Sequence, residues 1–359
     1  MKHMISFLFI FSPAVGFATA SAPPVKWMVA HNVENEPFLE LVRQYAGRIE
    51  EKTKGHVRIQ IEPAGKFGDD THYEAYKLVE SGQAQFSQIS IRGLGRTQPE
   101  ILALDLPLLF SSYSQAVRFL DSPVAQKLKN EFLVSSKGKV RGLDFTFSGG
   151  YRKFLLKEPI QTLAALSEMK VRITDPTPPG PASQVQDSTK YFFDLLGLKS
   201  CSPSTHPDNC HTRRHSIERE LNRIYVLRHT RAKVKERGMN VVLDSNHTLF
   251  LTMMVVNEKY LNSLSSENRQ VVVSELHQLA IDERKLSVQL EQINREKLRK
   301  EGVQFVSLVP EDQKKMSEAA RQTMDHFYPQ FKAVIDAVRG IQIQPGEMVF
   351  GSLKDHSLN

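Results

Sequence analysis

The sequence predicts an α/β fold built as two lobes, and three observations carry that prediction. Strand-like and helix-like segments alternate from the start of the mature chain. Behind an export-type leader about 335 residues remain, comfortable for two lobes and long for one core. Near the end, a stripe of apolar residues marks a helix long enough to lie across both.

The leader comes first. Met1-Lys2-His3 is basic, residues 4–17 are apolar but too short to span a bilayer, and 18–20 and 20–22 both offer small-x-small cleavage sites. Together they read as a secretory signal peptide over 1–22, cut after Ala20 or Ala22, which sends the mature chain to the periplasm. An N-terminal membrane anchor is the alternative. With two cysteines, no disulfide framework holds the protein together.

Residues 25–30 read as a strand. Phe38, Leu41, Val42, Tyr45 and Ile49 then recur at helical spacing until Lys54-Gly55. Val57, Ile59 and Ile61 alternate with polar residues as a second strand, 63–70 is a turn-rich loop, 73–80 is a helix stopped by Gly82, and 84–91 is a third strand. This β-α-β-α-β rhythm begins a mainly parallel sheet. Farther on, 102–110 is apolar and punctuated by Pro107, 114–132 reads as one helix, and 140–147 and 170–173 read as strands. A proline-rich loop at 176–181 leads into a helix ending at Leu196, with Pro181 in its first turn.

Val272, Leu276, Leu279, Leu286, Leu290 and Ile293 keep a three-four spacing, with Glu283 the one break. A helix over 267–299 is about 50 Å long at 1.5 Å per residue. A dimer seam along it is the alternative to a span across both lobes, and a monomer is the expected state. The expected division is 23–146 for the first lobe, with a return segment at about 241–265, and 147–240 for the second. Residues 266–359 hold the long helix and the C-terminal helices. Crossings between lobes are expected near 146–150 and 241–246.

The net charge of +7 is local. Between His211 and Arg237 nine Arg and Lys face three acids, which accounts for nearly all of it. Without a general electropositive face, and with export, a nucleic-acid partner is excluded. No Gly-x-Ser-x-Gly, His-Glu-x-x-His or phosphate-binding Gly loop is present, and no cofactor is implied. Asn246-His247-Thr248 matches a glycosylation sequon, which a bacterial-type exported protein seldom uses.

The chemistry rests on two arginines. Gly149-Gly150-Tyr151-Arg152 and Lys170-Val171-Arg172 each place one at a fixed point of a strand-like segment. A guanidinium is planar, permanently charged and fork-shaped, so it suits a carboxylate. Two such forks on neighbouring strands indicate a site for an organic acid; two surface ion pairs are the plainer reading.

These segments, in this order, resemble the solute-binding subunit of tripartite ATP-independent periplasmic (TRAP) transporters, of the dicarboxylate-binding type. Phe67-Gly68-Asp69-Asp70 resembles the family's Leu-Gly-Asp-Asp loop, and Leu104-Asp105-Leu106-Pro107-Leu108-Leu109-Phe110 its Asp/Ala-Leu-Pro-Phe-x-Phe segment. Gly150-Tyr151-Arg152 and Lys170-Val171-Arg172-Ile173 resemble its two arginine motifs. Asn257-Glu258-Lys259-Tyr260 with Leu264-Ser265-Ser266-Glu267 resembles its strand end and following helix start. The resemblance implies a two-lobed periplasmic-binding-protein-like fold with a hinge, no catalysis, and a membrane permease as partner. It implies that Arg172 pairs with the ligand carboxylate and Arg152 adds a second contact, with His31, Asp70 and Ser90 lining the cleft. Arg92 lies close to that line and joins the set. The ligand class is a small dicarboxylate, keto acid or sugar acid. A ligand-sensing protein for a membrane receptor and an exported organic-acid enzyme are the alternatives.

The departure from the family lies at 197–215. Almost no aliphatic residue occurs there, and both cysteines fall in it. Such a stretch is not expected to form the family's strand and helix, so a gap in the second sheet and weakened binding are expected. Three readings stand: a metal site from Cys201, His206, Cys210 and His211, an adaptive loop, or a local shift of reading frame.

Overall fold

A computed structural model describes residues 24–29, 36–63, 71–172, 188–201, 215–220, 223–225 and 238–343. The opening alternation is β1 (Val25–Val29), α1 (Glu36–Lys52), β2 (Ile59–Pro63), α2 (Thr71–Ser81) and β3 (Phe86–Ser90), with β1 parallel to both other strands. Lys54 and Gly55 end α1 in left-handed conformations (φ 52° and 80°), and Gly82 ends α2 at φ 79°. Ile91, expected in the third strand, instead starts a one-turn helix, α3 (Ile91–Leu94). A 3-10 helix (Pro99–Asp105) follows.

The helix expected over 114–132 is two helices, α4 (Tyr113–Leu120) and α5 (Pro123–Ser135). Ser122 caps α5 by accepting from the Ala125 amide, and Pro123 takes its first turn, where a missing N–H costs nothing.

The strand expected over 140–147 is far longer. β4 (Val140–Leu156) belongs to two sheets. Its first part pairs with β9 (Leu249–Asn257), and its last residues pair with β7 (His215–Glu220) and β8 (Val241–Leu243). The first sheet runs β2-β1-β3-β9-β4. The second runs β10 (Gln304–Val306), β8, β4, β7, β5 (Lys170–Arg172), β6 (Lys199–Cys201). At the crossing, the register with β9 breaks between Phe147 and Tyr151, and Gly149 and Gly150 take φ of 114° and 95°. Only glycine holds such a backbone without strain. The chain recrosses between β8 in the second sheet and β9 in the first.

β9 is buried along its whole length. Leu249, Leu251, Met253 and Val255 join one core with α4 and α5, while Met254 and Val256 join the other with α1. Period-two alternation thus feeds two apolar layers. The second sheet has its own clusters, around Phe154, Leu156, Val171 and Phe193, and around Leu155, Ile217 and Val242. α6 (Leu163–Ser167) and α7 (Ser188–Leu195) pack there.

The expected long helix is α9 (Ser266–Lys300), capped by Ser265. It follows α8 (Glu258–Ser263) and precedes α10 (Pro310–Arg339). Its early turns meet first-sheet elements through Glu275 with Arg48 and Asp282 with Tyr45. Its later turns meet the second through Arg295 with Asp244 and Leu298 in the Val242 cluster. The helix therefore packs against elements of both sheets. Among the described residues no helix is long and apolar enough to cross a membrane.

The unusual stretch is less empty than its composition implies. Its start forms β6, parallel to β5, and β7 fills the position between β4 and β5, so no gap opens among the described strands. Backbone pairing needs no aliphatic side chain, which is why composition misjudged these residues. Cys201 is disulfide-bonded, which removes it as a thiolate ligand for a metal. His206, Cys210 and His211 lie outside the described residues, as does the segment 1–23.

Candidate ligand-binding site

Arg152 follows the glycine pair on β4, 1% exposed. Its Nε donates to Glu220 Oε1 at 3.2 Å, and a terminal nitrogen lies 3.9 Å from both Asp105 and Glu218. The register accounts for this. Arg152 stands opposite Glu220 across the β4–β7 pair, and Glu218, two residues along β7, shares that face.

Arg92 reaches the same place from α3. Its Nε donates to Asp105 Oδ2 at 2.5 Å and a terminal nitrogen to Thr189 Oγ1 of α7 at 2.7 Å. His247, fully buried, stacks on Phe154 with ring centres 4.8 Å apart. Its Nε2 lies 2.9 Å from Glu218 Oε1 and its Nδ1 2.8 Å from Ser245 Oγ. A carboxylate only accepts, so the ring donates Nε2–H to Glu218.

The result is a buried ionic network of Arg92, Arg152, Asp105, Glu218, Glu220 and His247, drawn from both sheets. Burial works against a charge on Glu218, but Arg152, the His247 hydrogen bond and Arg92 overcome it and hold the carboxyl well below its ordinary value. Burial pushes the Asp105 carboxyl upward, against the pull of Arg92 and Arg152.

Arg172 is different. It sits on β5 with backbone neighbours Cys201 and Ile217. The residue is half-buried, its Nε is shielded from water, and that atom has no hydrogen-bond partner among the described residues. Such a donor calls for an acceptor.

Ser90 caps α3: its Oγ accepts from the Gly93 amide at 3.2 Å, and its own amide donates to His72 Nδ1 at 3.0 Å. His31 and Asp70 lie outside the described residues. The structure thus brings Arg92 and Arg152 into one network, with Arg172 two strands from β4 in the second sheet. Sequence reasoning missed Asp105, Glu218, Glu220, Thr189 and His247 as partners. Glu218 and Glu220 share a period of two, a usable signal, and His247 sat inside a sequon match that drew attention elsewhere.

A family model described as bacterial extracellular solute-binding protein, family 7 (DctP), matches residues 29–178 and 231–330. The chain belongs to this family. The stretch between the two matched parts holds 197–215 and also Glu218 and Glu220. The C4-dicarboxylate-binding periplasmic protein DctP of Vibrio cholerae is 20% identical over 309 residues, 84% of this chain and 86% of that protein. The C4-dicarboxylate-binding protein DctB of Bacillus subtilis is 26% identical over 141 residues, 39% of each chain. The first three curated relatives are matched over 43%, 46% and 39% of their own lengths, less than half in each case.

Solved structures of TRAP periplasmic solute-binding proteins share the fold. One from Shewanella oneidensis with bound succinate has a TM-score of 0.73 at 18% identity, covering 88% of this chain and 98% of that one. One from Desulfovibrio desulfuricans with bound sn-glycerol-3-phosphate has a TM-score of 0.75 at 17% identity, covering 90% and 100%. One from Citrobacter koseri with bound D-glucuronate has a TM-score of 0.72 at 16% identity, covering 89% and 100%. The family-7 chain therefore has the α/β, two-lobed architecture of these proteins.

Proposed function

We propose that this family-7 protein is the periplasmic solute-binding subunit of a TRAP transporter, a binding protein rather than an enzyme, exported by its 1–22 leader. It captures a small organic acid and hands it to the membrane permease. The observation that carries this reading is the contrast between Arg172 and its two companions. Arg92 and Arg152 are ion-paired with protein carboxylates, Arg152 keeping one buried terminal nitrogen without a hydrogen bond, whereas Arg172 has no ion pair among the described residues and a shielded Nε without a partner there. A ligand carboxylate at Arg172 supplies the missing acceptor, with the bidentate geometry that makes such pairs strong.

In this reading Arg172 grips the ligand, Arg92 and Arg152 hold the floor of the cleft across both sheets, and Ser90 fixes the turn at the end of β3. His31 and Asp70 complete the lining. One arginine without an ion pair fits an acid with a single engaged carboxylate, a sugar acid or keto acid as readily as a dicarboxylate. Relatives bind succinate, D-glucuronate and sn-glycerol-3-phosphate, anions that share one strong acceptor group. Burial of the ligand anion is favourable only when fixed donors replace its water, so the lobes close on it by hinge motion at 146–150 and 241–246.

A thermal-shift screen against organic acids tests the reading, because a ligand that binds the native state raises the melting temperature by mass action. The expected result is stabilisation by one class of acid and a smaller radius of gyration in solution scattering at saturation. A flat response to every acid, with the scattering profile unchanged, counts against it.

A further inference from the structure

The single break in the apolar stripe of α9, Glu283, is 1% exposed and faces the point where β4 leaves the first sheet. Gln88 Nε2 of β3 lies 2.7 Å from Glu283 Oε1, 2.7 Å from Ser148 Oγ of β4 and 2.8 Å from Thr252 Oγ1 of β9. The Ser148 hydroxyl also donates to Glu283 Oε1. Glu283 Oε2 is buried with no hydrogen-bond partner among the described residues. One turn on, Ser287 bonds the Phe147 carbonyl and accepts from the Gly149 amide. Glu283 therefore holds Ser148, and Ser287 holds the residues on either side of it, Gly149 being the first of the glycine pair.

Two features of this cluster call for a proton. Glu283 Oε2 is buried with no donor among the described residues, so a charge on this carboxyl is solvated on one oxygen only. The charged groups of the surrounding elements are also engaged elsewhere. Arg284, next on α9, points to the Phe145 carbonyl, Asp121 and Asp144. On β4, Asp144 is held by Lys129 and His277, and Lys153 by Glu291. On α1, Arg48 and Lys52 meet Glu275, and Tyr45 bonds Asp282. β3 and β9 carry no charged residue.

We infer that Glu283 is a proton-linked latch that ties the long helix to the crossover of β4, tight when its carboxyl is protonated and loosened when it is ionised. A proton from solvent on the inner oxygen lets Glu283 donate to Ser148 Oγ, and the Ser148 hydroxyl then turns toward Thr252 Oγ1, 3.5 Å away. The buried charge disappears. Desolvation raises the Glu283 carboxyl to about 7, against smaller opposing effects of Ser148, Gln88 and Arg284, so the two forms exchange near neutrality. The latch lies on the crossover and does not depend on which acid the protein binds.

The test uses the full mature chain without ligand. Carboxyl carbon-13 NMR, with the Glu283→Gln spectrum as the assignment, is expected to show Glu283 titrating within about a unit of neutrality; a midpoint near the ordinary 4.5 overturns the inference. Amide hydrogen exchange is compared between wild type and Glu283→Gln at the same pH, so intrinsic rates cancel. At about pH 8 the amides of Gly149 and its neighbours are expected to exchange roughly tenfold more slowly in the variant, and at about pH 5.5 equally in both. Equal exchange at both pH values overturns the latch. If Glu283→Gln does not fold, Glu283→Leu supplies the missing resonance for the assignment, and the wild-type titration decides.

Discussion

Glu218 and Glu283 are glutamates equally hidden from water, 0% and 1% exposed, yet burial leaves them at opposite ends of the carboxylate range. Glu218 lies beside Arg152 with an imidazole N–H on one oxygen, and its carboxyl is held well below the ordinary value. Glu283 has only neutral donors and rises to about 7. Desolvation is the largest single influence on both. The difference lies in the guanidiniums: two act on Glu218, whereas the one near Glu283 is turned toward other acceptors. Charge in this interior follows the partner and not the depth. It also separates two parts of β4, an ionic clamp at Arg152 and a neutral, proton-dependent contact at Ser148, within a few residues of each other.

Removing the cation should break that contrast most severely. Arg152→Met leaves Glu218 and Glu220 buried without their main counter-charge, and a loss of about 3–5 kcal/mol in stability is expected from urea unfolding. The Glu218 carboxyl should then move upward, toward the behaviour of Glu283. A variant as stable as wild type would mean that the network carries no net electrostatic weight.

Arg172→Ala is expected to do the reverse, sparing the fold and removing the function. Loss of a charge-paired contact in a desolvated cleft costs ~2–5 kcal/mol of binding, about 30- to several-thousand-fold in affinity. Arg172→Lys should fail too, because a point charge does not reproduce the fork. Calorimetry with the acid found by the screen measures both; unchanged affinity would remove Arg172 from the site.

Gly150→Ala probes the crossover between the two parts. A Cβ there would collide with the Tyr113 hydroxyl and Glu291, at a backbone φ of 95°. A cost on the order of 1–3 kcal/mol is expected in thermal unfolding, from left-handed strain and displaced contacts. An unaltered midpoint would show that the crossover yields freely.

The smallest effects are in the pH profile, and they carry opposite signs. Glu218 has a depressed native value, so the unfolded chain binds the extra proton and stability falls as pH drops below about 4.5. Glu283 has a raised native value, so the native state holds the extra proton. Its contribution is complete below about 4.5, declines as pH rises, and levels off above about 7. Glu218→Gln should flatten the acid limb and Glu283→Gln the limb toward neutrality. If both variants flatten the same limb, the contrast between the two sites fails.

Much of the fold was legible because its signals are local. The opening alternation, the left-handed stops at Lys54-Gly55 and Gly82, and the extent of α9 all follow from periodicity and backbone preference. The break between α4 and α5 was written in Ser122-Pro123 and outweighed by apolar spacing on both sides. The full length of β4 was hidden, because Gly149-Gly150 resembles a terminator and only pairing with β9, β7 and β8 carries the strand through. Within the site, the arginines were visible as types and motifs. Their partners were not: Glu220 is 68 residues from Arg152 along the chain, and no local pattern records such a distance.

By itself the sequence determined the class of the protein: alternating α/β elements in two lobes, and motifs that place it in its family. These rest on period, composition and side-chain chemistry, which each residue carries alone or with near neighbours. Tertiary structure decided which arginines are ion-paired with carboxylates, which carboxylate is charged, and where Glu283 points. Those properties belong to the partners that long-range pairing brings into contact. A guanidinium beside a buried carboxylate stabilises its charge, and a site lacking one at hand favours the proton instead.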